Sequence, residues 1–248
     1  MQIVFKISKR IERIAAYLQG KGYGTASIDL EVKLAQQLLA KTPQLVMDIG
    51  GNIGEYSAKL REQNPHCEIH LFEPCHANVD KLKTRFNADN NLKVIPYALS
   101  NNTGSATLFS NEVGSGLASL TKRQLEHFNI DFNCQETVNT LRFEDYWITQ
   151  LNQRPIDIAK IDIEGHELNA LEGFGKAIQA TSVFQFEFGG CNIDSRTYFR
   201  DFWYFFKDQQ FELYRITPLG LEVIKNYRES DEFFSTTNYL AANKKYDN

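Results

Sequence analysis

Nine residues, Val46-Met47-Asp48-Ile49-Gly50-Gly51-Asn52-Ile53-Gly54, commit this chain to a strand, a tight turn and a helix in immediate succession. Leu45–Ile49 is an apolar run of buried-strand length, and Gly54–Leu60 reads as a helix start. Glycines at 50, 51 and 54 let the backbone turn sharply, leave no Cβ where a ligand approaches, and allow the helix to pack close to the strand. Glu68–Phe72 predicts a second strand, and it runs into Phe72-Glu73-Pro74. An acidic residue about 20 positions beyond such a turn can accept hydrogen bonds from both hydroxyls of a ribose. Strand, turn, helix and acidic strand end form one βαβ unit with the parts of a nucleoside site.

The turn also discriminates among nucleosides. A dinucleotide fingerprint reads G-x-G-x-x-G and seats a pyrophosphate on the helix N-terminus. Here the pattern is D-x-G-x-N-x-G: Asn52 stands at the second dinucleotide glycine, and Asp48 adds negative charge that opposes a diphosphate but suits an ammonium. S-adenosylmethionine carries an ammonium, a carboxylate, a sulfonium and a ribose but no phosphate, so the turn favours it as cofactor.

At 248 residues and 42% hydrophobic, the chain can bury one substantial core, and residues 1–248 are expected to form a single domain. A net charge of −4 without runs of like charge excludes a polyanion-binding arm, so nucleic acid is not an expected partner. Cys67, Cys75, Cys134 and Cys191 lack C-x-x-C or paired histidine spacing, so neither a metal site nor a disulfide framework is expected, which fits a reducing cytoplasm. Lys6, Lys9 and Arg10 interrupt the apolar N-terminus, and no stretch approaches the ~20 apolar residues of a span, so no membrane partner is expected either.

Along the chain, Ile11–Leu18 has helical spacing, and Ser27 starts a second helix through Ala40; together residues 1–42 predict a helical cover over the sheet or the ligand site. The core, 43–248, alternates strands at 45–49, 68–72, 92–96, 157–163, 182–188, 211–216 and 238–242 with helices at 54–63, 76–86, 168–179 and 196–209. This predicts an α/β, Rossmann-like, doubly wound, mostly parallel seven-stranded sheet with an N-terminal helical extension, its ligands outside the strands' carboxyl ends. Residues 101–139 break the rhythm with a short strand near Ser105–Phe109, a glycine loop at 114–116 and a helix-like stretch at Thr121–Phe128, and read as a lid-like insertion or a passive excursion. Tyr198–Phe206 is densely aromatic, offering a buried helix or a homodimer surface, and Glu232-Phe233-Phe234-Ser235 is placed to reach an acceptor pocket.

A second constellation, Asp162-Ile163-Glu164-Gly165-His166-Glu167, follows Lys160 at the fourth main strand. At the ligand edge of an open α/β sheet, Asp162 and Glu164 face the crevice of Gly50 and Glu73. His166 is a natural general base near neutral pH, whereas Glu167 reads as a solvated first helical turn. Glu187, at the end of the aromatic-polar strand Phe184–Phe188, joins the same carboxylate cluster, which can deprotonate a hydroxyl directly or hold a cation that does so. The direct route is preferred.

In this order the motifs resemble the FkbM family of S-adenosylmethionine-dependent methyltransferases: Asp48–Ser57, Phe72-Glu73-Pro74, Ala98-Leu99-Ser100, Thr140-Leu141, Lys160–Glu167, Leu171-Glu172-Gly173 and Gln185–Phe188. The resemblance implies a class I methyltransferase fold and assigns cofactor contacts to Asp48, Gly50, Gly51, Asn52, Gly54, Ser57, Glu73, Ala98, Ser100 and Asp162. It leaves Asp162 near the transferred methyl, with Glu164, His166 and Glu187 on the acceptor side. Arg142 departs from the family, which often has an acidic residue there. What it implies is O-methylation of a hydroxyl on a small molecule, sugar or natural product. The alternatives are a peptide or natural-product carboxylate, for which Arg142 would supply a positive contact, and a nicotinamide-dependent oxidoreductase, against which Asn52 and Asp48 speak.

Overall fold

The computed structural model describes residues 2–24, 28–39 and 41–246. Its strands are β1 (Leu45–Ile49), β2 (Glu68–Phe72), β3 (Leu92–Ile95), β4 (Ala98–Ser100), β5 (Gly104–Ser110), β6 (Cys134–Arg142), β7 (Ile156–Ile161), β8 (Thr181–Phe188), β9 (Phe211–Thr217), β10 (Gly220–Val223) and β11 (Thr237–Asn243). Its α-helices are α1 (Gln2–Leu18), α2 (Ile28–Gln37), α3 (Glu55–Gln63), α4 (His76–Arg85), α5 (Phe143–Thr149), α6 (Glu167–Phe174), α7 (Cys191–Ser195) and α8 (Phe199–Asp208).

Every side chain of β1 is buried, as a strand covered on both faces requires. Leu45, Met47 and Ile49 enter one apolar cluster with Phe72, Phe143, Phe174 and Phe184, while Val46 points the other way into a cluster with Tyr56, Leu60, Leu71 and Val183. The sheet runs β10-β9-β11-β8-β7-β1-β2-β3. β3, β2, β1, β7 and β8 are parallel neighbours, and β11 is antiparallel to both β8 and β9. All seven expected strands are present, and β10 extends the edge as a hairpin partner of β9. From β1 the chain first builds outward to β2 and β3, then returns to add β7 on the other side; this reversal opens a crevice at the carboxyl ends of β1 and β7.

Three sequence expectations change. Helix α2 packs through Val32, Leu34 and Ala35, but α1 buries no side chain and so covers neither sheet nor site; Ser27 and Ala40, the expected ends of the second helix, lie outside the described residues. The aromatic helix α8 puts Phe199, Phe202, Trp203 and Phe206 on its own sheet, with Phe202 stacked on Phe186 at 5.0 Å, so that face is not free for a second copy. In the insertion, β4, β6 and β5 form a separate three-stranded sheet, and Thr121–Phe128 contains only a 3₁₀ turn at Glu126–Phe128.

Candidate functional site

The glycine turn is held by its own neighbours. Gly50 N and Gly51 N both donate to the Phe72 carbonyl at 3.0 Å, and Asp162 N donates to the Ile49 carbonyl at 3.0 Å. Gly50 has φ 80°, and a Cβ there would lie 1.9 Å from the Asp162 carbonyl oxygen. At Gly51 and Gly54 a Cβ would meet Leu71 at 2.3 Å and Phe86 at 2.5 Å. The missing Cβ atoms therefore admit the adjacent turn, strand and helix; close packing, more than ligand approach, demands the glycines.

One half of the crevice, about 540 Å³ counted to its open mouth, is walled by Phe72, Tyr97, Ala98, Leu99, Leu108 and Leu120, with Ser115–Ser119 of the insertion closing one side. Glu73 is its one deeply buried carboxylate: Oε2 accepts from Asn52 N at 2.8 Å and Oε1 from Cys75 N at 3.0 Å. Burial pushes Glu73 up to about 7, against those backbone donors, which pull it down. The Asn78 side chain also hydrogen-bonds this carboxylate and pulls the same way, and of the roughly four lone-pair sites on its two oxygens capacity remains for a further donor.

The other half, about 1010 Å³ including open solvent, is lined by Glu31, Tyr56, Lys160, Asp162, Glu164, Glu187 and Asn238, and shares Gly50, Asn52, Gly116, Asp162 and Glu164 with the first. Lys160 Nζ lies 3.3 Å from Asp162 Oδ2 and 3.6 Å from Asp48 Oδ1. Burial works against its charge, but Asp162, Asp48 and Glu31 outweigh it and raise its pKa. Glu31 is pushed up to about 7 by burial, despite Lys160 and the 2.6 Å bond donated by Gln185 Nε2. Glu164 rises to about 8 through burial and then Asp162, while Arg123, 2.5 Å from its Oε2, pulls the other way. Glu187 is raised well above the carboxylate range by burial and then by Asp162 and Glu164, and no described donor engages its side chain.

Several expected site residues stand elsewhere. Asp48 is fully buried beneath the turn, where Ser57 Oγ donates to it at 2.6 Å and Lys160 faces it, so neither Asp48 nor Ser57 lines the crevice. His166 lies in the nucleoside half, its Nε2 3.0 Å from Ser100 Oγ, and burial drives it down to about 4. It is thus away from the acidic half expected to hold the acceptor. Ser100 supports His166 from behind the wall that Ala98 forms. Glu167 is not solvated: fully buried, its Oε1 accepts from Ile163 N and Gly165 N at 3.0 Å and closes the Asp162–Glu167 turn. Arg142 turns away to Glu144 and Asp145. Glu31, Lys160 and Arg123 are site residues that no motif role had picked out, although Lys160 stands inside one of the motifs. The insertion is a wall, not a passive excursion.

Ligating atoms of Glu164, Glu187 and Cys191 come within 4.8 Å of one another. Burial pushes the Cys191 thiol far up, leaving it protonated and a poor ligand, so the trio offers two carboxyl groups at most.

The sequence matches the family model described as the methyltransferase FkbM domain over residues 48–216. It is 22% identical over 186 residues to the 2-O-methyltransferase NoeI of Sinorhizobium fredii (strain NBRC 101917 / NGR234), spanning 71% of this chain and 76% of that one. Among solved structures, precorrin-6y C5,15-methyltransferase from Geobacter metallireducens GS-15 aligns with a TM-score of 0.46 at 8% identity over 86% of this chain and 87% of that one. The plantazolicin methyltransferase BpumL, solved in complex with SAH, aligns with a TM-score of 0.47 at 11% identity over 95% and 90% of the two chains.

Proposed function

This chain belongs to the methyltransferase FkbM family, and from that premise we propose that it is an S-adenosylmethionine-dependent O-methyltransferase acting on a hydroxyl of a sugar or other small natural product. The observation that carries the hydroxyl reading is the acidic half of the crevice. Glu31, Asp162, Glu164 and Glu187 surround one ammonium that Asp162 and Asp48 already engage, so this half keeps no spare cation for an anionic acceptor, while its carboxyl groups can hydrogen-bond a neutral hydroxyl and, when ionised, take its proton. The relative named as a 2-O-methyltransferase supports oxygen as the acceptor atom.

The nucleoside half fits the cofactor. Glu73 is a buried carboxylate with acceptor capacity to spare, suited to two ribose hydroxyls, and the Tyr97–Leu99 wall with Leu120 offers an apolar slot for a base. When bound, S-adenosylmethionine supplies an electrophilic methyl group on a sulfonium. Asp162, common to both halves, stands between donor and acceptor and is held there by Lys160. Glu187, in the acidic half with no described donor on its side chain, takes the hydroxyl proton in its ionised form, which burial, Asp162 and Glu164 hold back until the pH is raised; Glu164, fixed by Arg123, bounds the acceptor's other side. The insertion's Ser115–Leu120 segment keeps water from the nucleoside half.

A carboxylate acceptor needs a free cation, and Arg142 and Arg123 are both paired with the chain's own carboxylates. The nicotinamide reading loses its footing with the family assignment. Titration with S-adenosylhomocysteine tests the cofactor half. Incubation of hydroxyl-bearing and carboxyl-bearing acceptors with the cofactor, read by mass for one added methylene, tests the rest. Methylation of carboxylates alone would overturn the hydroxyl reading, and turnover abolished by a chelator would overturn Glu187 as a metal-free base.

A further inference from the structure

Among the described residues, helix α1 is the one long element that the body of the protein does not use. None of its side chains is buried, and Ile3, Val4, Ile7, Ile11, Ile14 and Leu18 are 48–72% exposed. At about 100° per residue these six share one side of the helix, while Lys6, Lys9, Arg10 and Arg13 take its back and one flank. An apolar stripe of this length left in water marks a surface that something covers.

Charge says what fits. With four basic side chains and Glu12, α1 carries +3, which leaves −7 on the rest of a chain of net −4. A helix of strong amphipathicity, basic on its polar face, matches a negatively charged bilayer surface, where the apolar side sinks to the acyl boundary and the lysines and arginines meet the headgroups. A pair of α1 helices from two copies fits less well. Val4, Ile7, Ile11, Ile14 and Leu18 span two heptads, short of the roughly three to four that sustain a coiled coil, and each helix would bring its +3 against the other. Crossing the bilayer is a different matter: no helix among the described residues is long and apolar enough for that.

We propose that α1 seats this protein on a lipid bilayer bearing anionic headgroups. The segment after it ties the helix to the site. Gly20 packs against the Ile216 backbone, Gly22 N donates to Thr237 Oγ1 at 3.2 Å, and Gly24, which lines the acidic half, donates to the Thr236 carbonyl at 3.0 Å. A bilayer that holds α1 is thus coupled by a short, bonded connection to the half of the crevice that takes the acceptor.

Sedimentation of the full chain with vesicles tests this. Phosphatidylcholine vesicles containing about a third phosphatidylglycerol should bind it about tenfold or more better than phosphatidylcholine alone, and raised salt should release it. The variant I7D/I11D/I14D changes only exposed side chains, so the fold and S-adenosylhomocysteine binding should persist while vesicle binding is lost. Equal binding to both vesicle types, or to neither, overturns the proposal. So does a dimer, measured by light scattering without lipid, that the triple variant converts to a monomer: the stripe would then belong to a second copy.

Discussion

The nucleoside half of the crevice is made of apolar walls and backbone amides around the Glu73 carboxylate, whereas the acidic half is made of ionisable side chains around a single ammonium. In the first, Glu73 is held mainly by main-chain donors, Asn52 N from the turn and Cys75 N from the start of α4. The second depends on side chains from α2, β7 and β8 that balance one another's charge. A preformed backbone cradle suits a ligand common to a whole family; a mutable ring of side chains suits one that differs between members. Removing a charge should therefore disable chemistry in one half and binding in the other.

The largest separation is expected at Glu187. Glu187→Gln keeps the shape and removes the base, so kcat should fall by about 10²- to 10⁴-fold while S-adenosylhomocysteine affinity changes by less than about twofold. Affinity that collapses together with turnover would mean the two halves are not independent.

Gly50→Ala attacks what they share. Its Cβ would meet the Asp162 carbonyl oxygen at 1.9 Å from a left-handed backbone, so the turn and the Asp162 segment must part. Strain of this kind costs about 2 kcal/mol or more, measurable as a lower urea midpoint, and both cofactor binding and turnover should fall. A variant that loses only cofactor affinity would show the glycine serving ligand approach rather than packing.

How much of this was legible follows from distance along the chain. The turn, Glu73 and the Asp162–Glu167 run are local patterns, and the seven strands followed from apolar runs set off by turns. Asp48 was misread by its motif, yet a carboxylate inside an apolar strand demands an internal partner, and Ser57 and Lys160 supply it. Glu31 carried no such mark: its partner Gln185 lies 154 positions away, and only the fold brings them together. Helix α5 went unread because Phe143–Thr149 continues directly from β6, with no turn residue to divide them. The exposed stripe of α1 was visible as helical spacing, but spacing does not say whether a face packs inward.

At Glu73 the effect should be on binding alone. Glu73→Gln leaves Asn52 N and Cys75 N with one fewer acceptor and the ribose with a poorer partner, so S-adenosylhomocysteine should bind about ten- to a hundredfold more weakly, with kcat at saturating cofactor largely kept.

The smallest effect sharpens the contrast through pH. Burial holds Glu73 up at about 7, so below that pH it is mostly protonated and offers one oxygen as a donor where the ribose needs acceptors. Two hydroxyl donors favour the carboxylate and lower its pKa in the complex, so binding expels a proton and affinity must rise as pH increases through 7. Between pH 6 and 8 the gain is at most about tenfold, because only one group titrates. Glu31 and Glu164 change charge in a similar range, at about 7 and about 8, but a cofactor held by the nucleoside half should feel them less. Calorimetry of S-adenosylhomocysteine binding in buffers of different ionisation enthalpy reads the proton directly. Glu73→Gln should flatten both the proton release and the pH slope, and a slope that survives in that variant would assign the titration to the acidic half and dissolve the separation between the two.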